Sequence, residues 1–411
     1  MDRSMAHIAF MMPAYYSHAA VHGALGARLA ERGHRISFIG VPGLERHARR
    51  ESAGFLCLDG PAAAERVGRG PAGFARLLRD TAHATQAHAL TGPALLRGAG
   101  VDLAVVDEME PGGSLAAEAA GIPRVTLAAA VPMRRDPGVP PPFVGWDWQP
   151  GARGLRQAQG AWRVADWLMA AQRRVLARGC EHWGLARRDR LSDWIAPEGS
   201  IVQCPASLDF PRARPPGIAT GPLRRPDTAA TAPLFGGKPY VFASLGTIAG
   251  GRQALLERII QGADAADISL ALAHCGGLSE EKAQALADLA PGRIDVRAFF
   301  DQRPTIRGAA AVLCHGGVNT VLDAATFGKP LVILPLGNDQ HGVAARLRRL
   351  GAARILSASR ATPAVLAAAL REVLADNRFR AALSPVQAEI AQAGGAARAA
   401  DLIEAALERG W

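Results

Sequence analysis

Short apolar runs alternate with helical patterns twice along this 411-residue chain, and this alternation restricts the fold more than any other feature. The first series contains HIAFMM, RISFIG, GFLCLD, DLAVVD and PRVTLA, and a helical pattern from about His18 to Arg32 follows its first run. The second series contains PYVFASLGT, ISLALAHC, IDVRAF, AAVLCH, PLVILPL and AARILS. Continuous apolar runs joined by helices are typical of parallel sheets buried on both faces. The sequence therefore predicts an α/β protein with two doubly wound domains in tandem.

A segment rich in Pro, Gly and Ala, PRARPPGIATGPLRRPDTAATAPLFGG at 211–237, separates the two series. It has no hydrophobic period, which predicts an interdomain linker. We therefore place the first domain at 1–210, the second at 238–385 and a helical segment at 386–411. Doubly wound sheets bind ligands beyond the carboxyl ends of their strands, so the active site is expected in a cleft between the domains.

Composition excludes several classes of protein. The formal charge is +10, but 44 of the 47 basic residues are arginines scattered along the chain, so no nucleic-acid partner is expected. The five cysteines are odd in number and lack CxxC spacing, which predicts neither a disulfide framework nor a zinc site. The start lacks the apolar region of a secretory signal, and no apolar stretch approaches the roughly 20 residues of a membrane span. We expect a cytoplasmic protein that is soluble or peripheral to a membrane.

The run HGGVNTVLDAATFG follows one predicted strand and has the character of an anion site. Gly316 and Gly317 allow close approach of the backbone to a ligand. Asn319 and Thr320 lie in the first helical turn, where unpaired N–H groups and the helix dipole favour a phosphate. Asp323, one turn further, can accept hydrogen bonds from ribose hydroxyls. The simple alternative is a helix cap with a packing glycine.

The next strand is followed by a second polar loop, Asn338, Asp339 and Gln340. An acidic and amide pair at a strand's carboxyl end offers acceptors and donors suited to a polyol. Alone, such a pair is more often a helix cap. Two such loops, one strand–helix unit apart, favour a joint binding site.

Other ligand motifs fail on inspection. GRGPAG at 68–73 formally matches GxGxxG, but Pro71 interrupts it and no strand leads into it, so a dinucleotide site is not expected. No P-loop sequence and no Asp-x-Asp occurs. We expect an enzyme that uses neither a metal ion nor a cofactor.

The run FFDQ…HGGVNTVLDAATFGKPLVILPLGNDQ resembles the donor-binding signature of the family 1, GT-B-fold, UDP-sugar glycosyltransferases. PAYYSH near the start, SLGT at 244–247 and LAHCGGLS at 272–279 are similar to patterns of the carotenoid (zeaxanthin) glucosyltransferase branch. The resemblance spans both domains with the motifs in the right order. It implies a GT-B fold whose C-terminal helices return to the first domain, with UDP-glucose as co-substrate.

The resemblance also implies roles for residues of the second domain. Phe299 matches the aromatic that stacks on uracil, and Phe300 the backbone contact to the base. Gln302 and Asp323 match the ribose-binding pair, and Asp339 with Gln340 the pair that holds glucose hydroxyls. The positions matching pyrophosphate contacts are Ser244, Gly246, Thr247, His315, Gly317, Asn319 and Thr320. Three positions depart from the common pattern: Phe299 and Val318 stand where many relatives have Trp, and Asp323 replaces the more frequent Glu.

The first domain is expected to supply the catalytic base. His18 matches the family's base, and an imidazole can remove a hydroxyl proton near neutral pH. Asp107, at the end of DLAVVD, matches the acid that orients it, with Glu108 as the rival, since an alternating strand aims only one of them inward. His22 lies one turn after His18, but no zincin Glu or third ligand accompanies the pair, so a metal site is not expected.

The acceptor is indicated less directly. Trp146, Trp148, Trp162 and Trp167 follow a Pro-rich loop in a chain with only 5% aromatic residues, which suggests a channel for a long apolar acceptor. Ordinary loop packing is the alternative. The resemblance implies inverting transfer of glucose to a lipophilic hydroxylated acceptor such as zeaxanthin. A natural-product glycosyltransferase, a UDP-sugar 2-epimerase and a non-catalytic helper protein remain as alternatives.

Overall fold

The computed structural model describes residues 5–63, 70–196, 199–227 and 233–409. Two separate parallel sheets form its framework, as the two series of apolar runs predict. The part of the GRGPAG motif at 68–69 lies outside the described residues.

The first sheet has the strand order β3-β2-β1-β4-β5-β6-β7, with every described pairing parallel. Its strands are β1 (His7–Met11), β2 (Arg35–Gly40), β3 (Gly54–Cys57), β4 (Leu103–Asp107), β5 (Arg124–Ala128), β6 (Ser200–Val202) and β7 (Ile218–Ala219). The helices are α1 (Tyr16–Ala30), α2 (Glu45–Arg50), α3 (Gly70–Gly98), α4 (Pro111–Ala120), α5 (Gly151–Leu168) and α6 (Ala170–Trp183). The strand order reverses between β1 and β4, which opens a crevice at their carboxyl ends.

The second sheet has the order β10-β9-β8-β11-β12-β13, also parallel. Its strands are β8 (Tyr240–Ser244), β9 (Ser269–Ala273), β10 (Ile294–Arg297), β11 (Ala311–Cys314), β12 (Leu331–Ile333) and β13 (Ala353–Ile355). The helices are α7 (Gly246–Ala249), α8 (Gln253–Ala265), α9 (Glu280–Ala287), α10 (Gln302–Gly308), α11 (Val318–Thr326), α12 (Gln340–Leu350), α13 (Pro363–Ala375), α14 (Arg378–Gln392) and α15 (Gly395–Arg409). The predicted pair of doubly wound domains is confirmed.

Part of the segment predicted as a linker is a strand. Ile218 and Ala219 form β7, which pairs with Ile201 and Val202 of β6 at the edge of the first sheet. The strand is only two residues long, so it is too short to produce a visible hydrophobic run. The prediction of a linker over the whole of 211–237 is therefore wrong at these residues.

The C-terminal helices divide between the two domains at a different place from the predicted one. The boundary at 385/386 falls inside α14, which packs against the second domain through Leu383 and Val386. Helix α15 packs on α1, and its Ile403 is buried in the core of the first domain. An ion pair of 2.8 Å between Arg32 and Glu404 reinforces this contact. The predicted return of C-terminal helices to the first domain is confirmed: Glu389 of α14 accepts hydrogen bonds from the backbone N–H groups of Ala206 and Ser207, and α15 packs on that domain.

Candidate active site

His18 and Asp107 come together where the first sheet reverses its strand order. Helix α1 begins just beyond β1, so His18 lies in its first turn, beside the end of the neighbouring strand β4. His18 Nδ1 is 2.7 Å from Asp107 Oδ2. The second oxygen of Asp107 accepts a 2.8 Å hydrogen bond from the backbone N–H of Met109. A carboxylate that holds Nδ1 orients the ring and leaves Nε2 as the basic nitrogen.

The charges around His18 come from both domains. Burial by itself lowers the pKa of His18, but the charge of Asp107, the hydrogen bond to it and the charge of Asp339 together raise that pKa above its ordinary value. Burial raises the pKa of Asp339, and the nearby His18 opposes this rise. Asp339 belongs to the second domain, so the charge of the second domain acts on the imidazole of the first.

Glu108, the rival of Asp107, points away from His18. Its carboxylate accepts hydrogen bonds of 2.8 Å from the Met133 backbone N–H and 3.0 Å from the Ser200 hydroxyl. Burial raises the pKa of Glu108 to about 7 despite these two bonds. Consecutive strand residues face opposite sides of a sheet, and here Asp107 is the one aimed at the histidine.

His22 is a second buried neighbour of Asp107. Its Nδ1 lies 3.0 Å from the carbonyl oxygen of His18, and its Nε2 lies 3.8 Å from Asp107 Oδ2. Burial lowers the pKa of His22, which favours a neutral ring. Across the described ranges, no group of three or more His, Cys, Asp or Glu side chains is arranged to hold a metal ion.

The residues assigned to the sugar donor follow strands of the second sheet at its carboxyl edge. Ser244 ends β8, and Gly246 and Thr247 begin α7. The remaining positions follow β10, β11 and β12: Phe299, Phe300, Gln302, His315, Gly317, Asn319, Thr320, Asp323, Asp339 and Gln340. Because β8 and β11 are neighbours, the SLGT and HGG loops meet in the middle of this edge.

Two glycines make room for the His315 ring. A Cβ on Gly246 would lie 2.6 Å from His315 Cε1, and one on Gly317 would lie 2.7 Å from Nε2. Gly246 and Gly316 also adopt positive φ angles of +73° and +92°, which favour glycine. The predicted close approach to a ligand is thus, in part, a close approach to this histidine. Burial lowers the pKa of His315 to about 4, so a neutral imidazole can donate one N–H to an anion but adds no charge.

Asp323 is the centre of a buried polar network. Gln302 Nε2 donates to its Oδ2 at 2.7 Å, so the two residues assigned to ribose do lie together. Arg224 Nε donates to its Oδ1 at 2.8 Å, and Arg303 Nη1 lies 3.6 Å from the same oxygen. A carboxylate has about four acceptor positions, so these partners do not use its whole acceptor capacity, but the Asp323 side chain is almost fully buried.

The sequence did not predict Arg224 as a site residue, because it lies in the Pro- and Gly-rich segment assigned to the linker. Its guanidinium also donates to Gln203 Oε1 at 3.1 Å and to Asn319 Oδ1 at 3.2 Å. Asn319 in turn donates through Nδ2 to the carbonyl oxygen of Ser17, at 2.9 Å. Asn319, predicted to contact pyrophosphate, thus connects the donor side with the residue next to His18.

The aromatic pair after β10 has two different environments. Phe299 is half exposed, and the guanidinium of Arg50 from the first domain lies 5.6 Å from its ring centre. Phe300 packs edge-on against Phe242 at 6.1 Å and is partly buried. Phe299 is therefore the ring that can stack on a base, next to Arg50.

Gln340 is partly committed to its own loop. Its Oε1 accepts hydrogen bonds from the backbone N–H groups of Leu336, at 2.7 Å, and Gly337, at 3.1 Å. Its amide nitrogen is the side-chain group suited to a sugar hydroxyl. Thr247 is exposed and Thr320 is buried, and Thr320 lies beside Gln302 with its Oγ1 3.5 Å from Gln302 Oε1.

The four tryptophans predicted to line an acceptor channel do not form one cluster. Trp162 is buried and donates to the Val139 carbonyl at 2.9 Å, which makes it a core residue. Trp148 packs with Val139 near α12 of the second domain, and Trp146 is 45% exposed. Trp167 is 74% exposed on the end of α5. Trp148 and Trp162 therefore both lie next to Val139, whereas Trp146 and Trp167 expose their rings.

Comparisons with known proteins identify the family. The chain is 34% identical over 410 residues to the zeaxanthin glucosyltransferase of Pseudescherichia vulneris, covering 98% of both proteins. It is 34% identical to the zeaxanthin glucosyltransferase of Pantoea ananas, covering 97% of this chain and 96% of that protein. The chain belongs to the GT-B glycosyltransferases.

Further matches agree with this assignment. Residues 277–405 match the family described as Erythromycin biosynthesis protein CIII-like, C-terminal domain. The crystal structure of the glycosyltransferase of kitacinnamycin superposes with a TM-score of 0.77 at 22% identity, covering 98% of this chain and 100% of that one. This glycosyltransferase has, within the residues described, no helix whose length and apolarity suffice to cross a membrane.

Proposed function

We propose that this enzyme transfers glucose from UDP-glucose to a hydroxyl group of a lipophilic acceptor, a hydroxylated carotenoid such as zeaxanthin, with inversion and without a metal ion. One observation carries the reaction type: His18, paired with Asp107 at 2.7 Å, lies beside Ser17, whose carbonyl accepts a 2.9 Å hydrogen bond from Asn319 of the other domain. The carotenoid acceptor is supported by the two full-length relatives named as zeaxanthin glucosyltransferases.

The proposed step is an in-line displacement. Nε2 of His18 takes the proton of the acceptor hydroxyl as its oxygen attacks the anomeric carbon of glucose. The bond between that carbon and the diphosphate oxygen breaks, and UDP leaves with the electron pair. Asp107 stabilises the imidazolium that forms, and attack from the face opposite UDP gives a β-glucoside.

The donor side supplies polar groups to the leaving diphosphate. The N–H groups at the start of α11, the hydroxyl of Thr320 and the neutral ring of His315 can donate hydrogen bonds to its oxygens. Phe299 is proposed to stack on uracil, and Asp339 with Gln340 to hold glucose hydroxyls. We further propose that the enzyme works in the cytoplasm, at the inner face of a membrane that holds the acceptor.

The proposal is tested by incubating the purified enzyme with UDP-glucose and, separately, zeaxanthin in detergent, a macrolide and a flavonoid. Zeaxanthin β-glucoside, identified by mass and anomeric coupling constant, is expected with and without EDTA. Conversion of the macrolide or flavonoid alone would replace the carotenoid by a natural-product acceptor. An isomerised UDP-sugar formed without any acceptor would indicate an epimerase.

The pairing of His18 with Asp107 predicts a specific pH dependence. The charge of Asp107 helps to hold the pKa of His18 above its ordinary value, and burial opposes it. The base acts when deprotonated, so kcat/KM of the wild type should rise with pH through this raised pKa. In Asp107→Asn, burial prevails, and the acid limb should move to lower pH while the maximal rate falls. Profiles of kcat/KM between about pH 5 and 9 measure this shift, and Asp59→Asn, at an exposed carboxylate, is the control. An acid limb that does not move in Asp107→Asn would contradict the pairing.

The contact between Gly246 and His315 predicts a steric effect on the donor site. Gly246→Ala should displace the His315 ring or the SLGT loop, and a shift of about 1 Å in such a site can lower kcat on the order of 10²-fold. Gly121→Ala is the matched control, since its φ of +70° imposes similar backbone strain but nothing lies within 4 Å of its Cβ position. Initial rates with UDP-glucose measure both. Equal losses in the two variants would mean that backbone strain, not the ring, is responsible.

A further inference from the structure

One face of α5 exposes a stripe of arginine and apolar side chains. Arg153, Arg156, Arg163, Val164 and Trp167 recur at helical spacing along one side of this helix. The opposite side is buried: Gly154, Ala158, Ala161, Trp162 and Ala165 pack inward. The helix is therefore fixed to the domain by four small residues and Trp162, while its outer face is exposed.

The apolar members of this stripe are unusually exposed. Trp167 is 74% exposed and Val164 57%, and Phe74 on the adjacent helix α3 is 46% exposed. A tryptophan flanked by arginines on an amphipathic helix is typical of helices that lie in a membrane interface. In such a helix the indole ring of the tryptophan lies at the depth of the lipid headgroups.

A groove lies beside this stripe, between α3 and α6. Its volume is about 550 Å³, and Leu78, Leu168 and Val175 contribute to its apolar lining. The arginines that line it are Arg79, Arg174 and Arg178. An apolar groove among cations matches the acyl chain and phosphate of an anionic lipid.

The charge of this face favours an anionic partner. Helices α5 and α6 carry six arginines against two acidic residues, and one of these, Asp166, is paired with Arg135. The attraction of arginines to an anionic bilayer surface adds to the burial of Trp167 and Val164. A nucleic acid would use the arginines but would leave Val164 in water.

We propose that the outer face of α5 with the groove between α3 and α6 docks the enzyme on an anionic phospholipid bilayer. Trp167 and Val164 enter the interface, and Arg163, Arg174 and Arg178 contact lipid phosphates. This deepens the proposed function by naming the surface that meets the membrane. Its failure is separable, because docking is measured without sugar donor or acceptor.

Co-sedimentation with sucrose-loaded vesicles tests the docking surface. The wild type should bind vesicles of phosphatidylcholine with phosphatidylglycerol and bind phosphatidylcholine alone far less. Each arginine near an anionic surface contributes roughly five-fold, so the triple variant Arg163→Gln, Arg174→Gln and Arg178→Gln should bind about 100-fold more weakly. Trp167→Ser with Val164→Ser should also weaken binding.

The control removes the same charge from elsewhere: Arg35→Gln, Arg360→Gln and Arg398→Gln, all exposed. Circular dichroism and melting curves establish that each variant is folded. If the control triple variant loses as much vesicle binding, the effect comes from net charge alone and the proposal is overturned. The proposal is also overturned if the wild type does not bind the anionic vesicles. If the wild type binds a single-stranded oligonucleotide tightly and the variant of Arg163, Arg174 and Arg178 does not, this face binds nucleic acid instead.

Discussion

Replacing His18 by alanine is expected to lower kcat for glucosyl transfer about 10²–10⁴-fold, the range typical of a lost general base. His18 is the imidazole that Asp107 orients at 2.7 Å, and the charge of Asp339 in the other domain helps to raise its pKa. Its ring does not belong to the donor pocket, so affinity for UDP should change little. Steady-state rates with UDP-glucose and the acceptor, together with calorimetric titration of UDP, measure the two quantities separately.

A matched control for this variant is His182→Ala, an exposed histidine on α6. It should retain wild-type turnover. Unchanged turnover in His18→Ala would remove the base from the proposed mechanism and would favour the non-catalytic helper alternative. Loss of UDP binding in parallel with turnover would instead indicate that the substitution disturbs the whole cleft.

The second large effect concerns stability rather than turnover. Arg224→Met should lower the free energy of unfolding by about 3 kcal/mol, because it removes the nearer of two cations from a buried carboxylate and leaves only Arg303, at 3.6 Å. Asp323 is almost fully buried, and Arg224 is its nearest cation, at 2.8 Å. Denaturant unfolding monitored by circular dichroism measures this loss.

The double variant Arg224→Met with Asp323→Asn separates charge from packing. It should regain part of the stability lost in Arg224→Met, because the buried carboxylate is then absent. A control on an exposed pair is Arg297→Met, whose partner Asp295 is more accessible; a loss within about 1 kcal/mol is expected there. If Arg224→Met and Arg297→Met lose the same free energy of unfolding, the buried charge of Asp323 does not need Arg224. Arg303 alone would then be enough to stabilise that charge.

Hydrophobic patterning in the sequence was enough to predict two parallel α/β domains. Strands such as β1, β4, β8 and β11 are buried on both faces, so they appear as uninterrupted apolar runs. The short edge strand β7 was missed, because two residues carry no period. The helices of the last 50 residues were expected, but which domain each packs on was not fully predictable, since that depends on contacts with distant residues.

Motif spacing likewise located the main parts of the candidate site. The HGG and NDQ loops fall at strand ends of one sheet, and His18 falls after the first strand of the other. Only the tertiary structure decided between Asp107 and Glu108, because their directions depend on how β4 twists beside β1. It also showed that Trp148 and Trp162 lie next to Val139 while Trp146 and Trp167 expose their rings.

The sequence by itself determined the two sheets and the chemical types of the residues at their carboxyl edges, because burial on both faces and helix starts leave local patterns. The tertiary structure decided which of those side chains meet. Arg224 reaches Asp323 from 99 positions away and Asn319 reaches Ser17 from 302. Such pairings arise when two domains fold against each other, and a pairing of that kind has no local period in the chain.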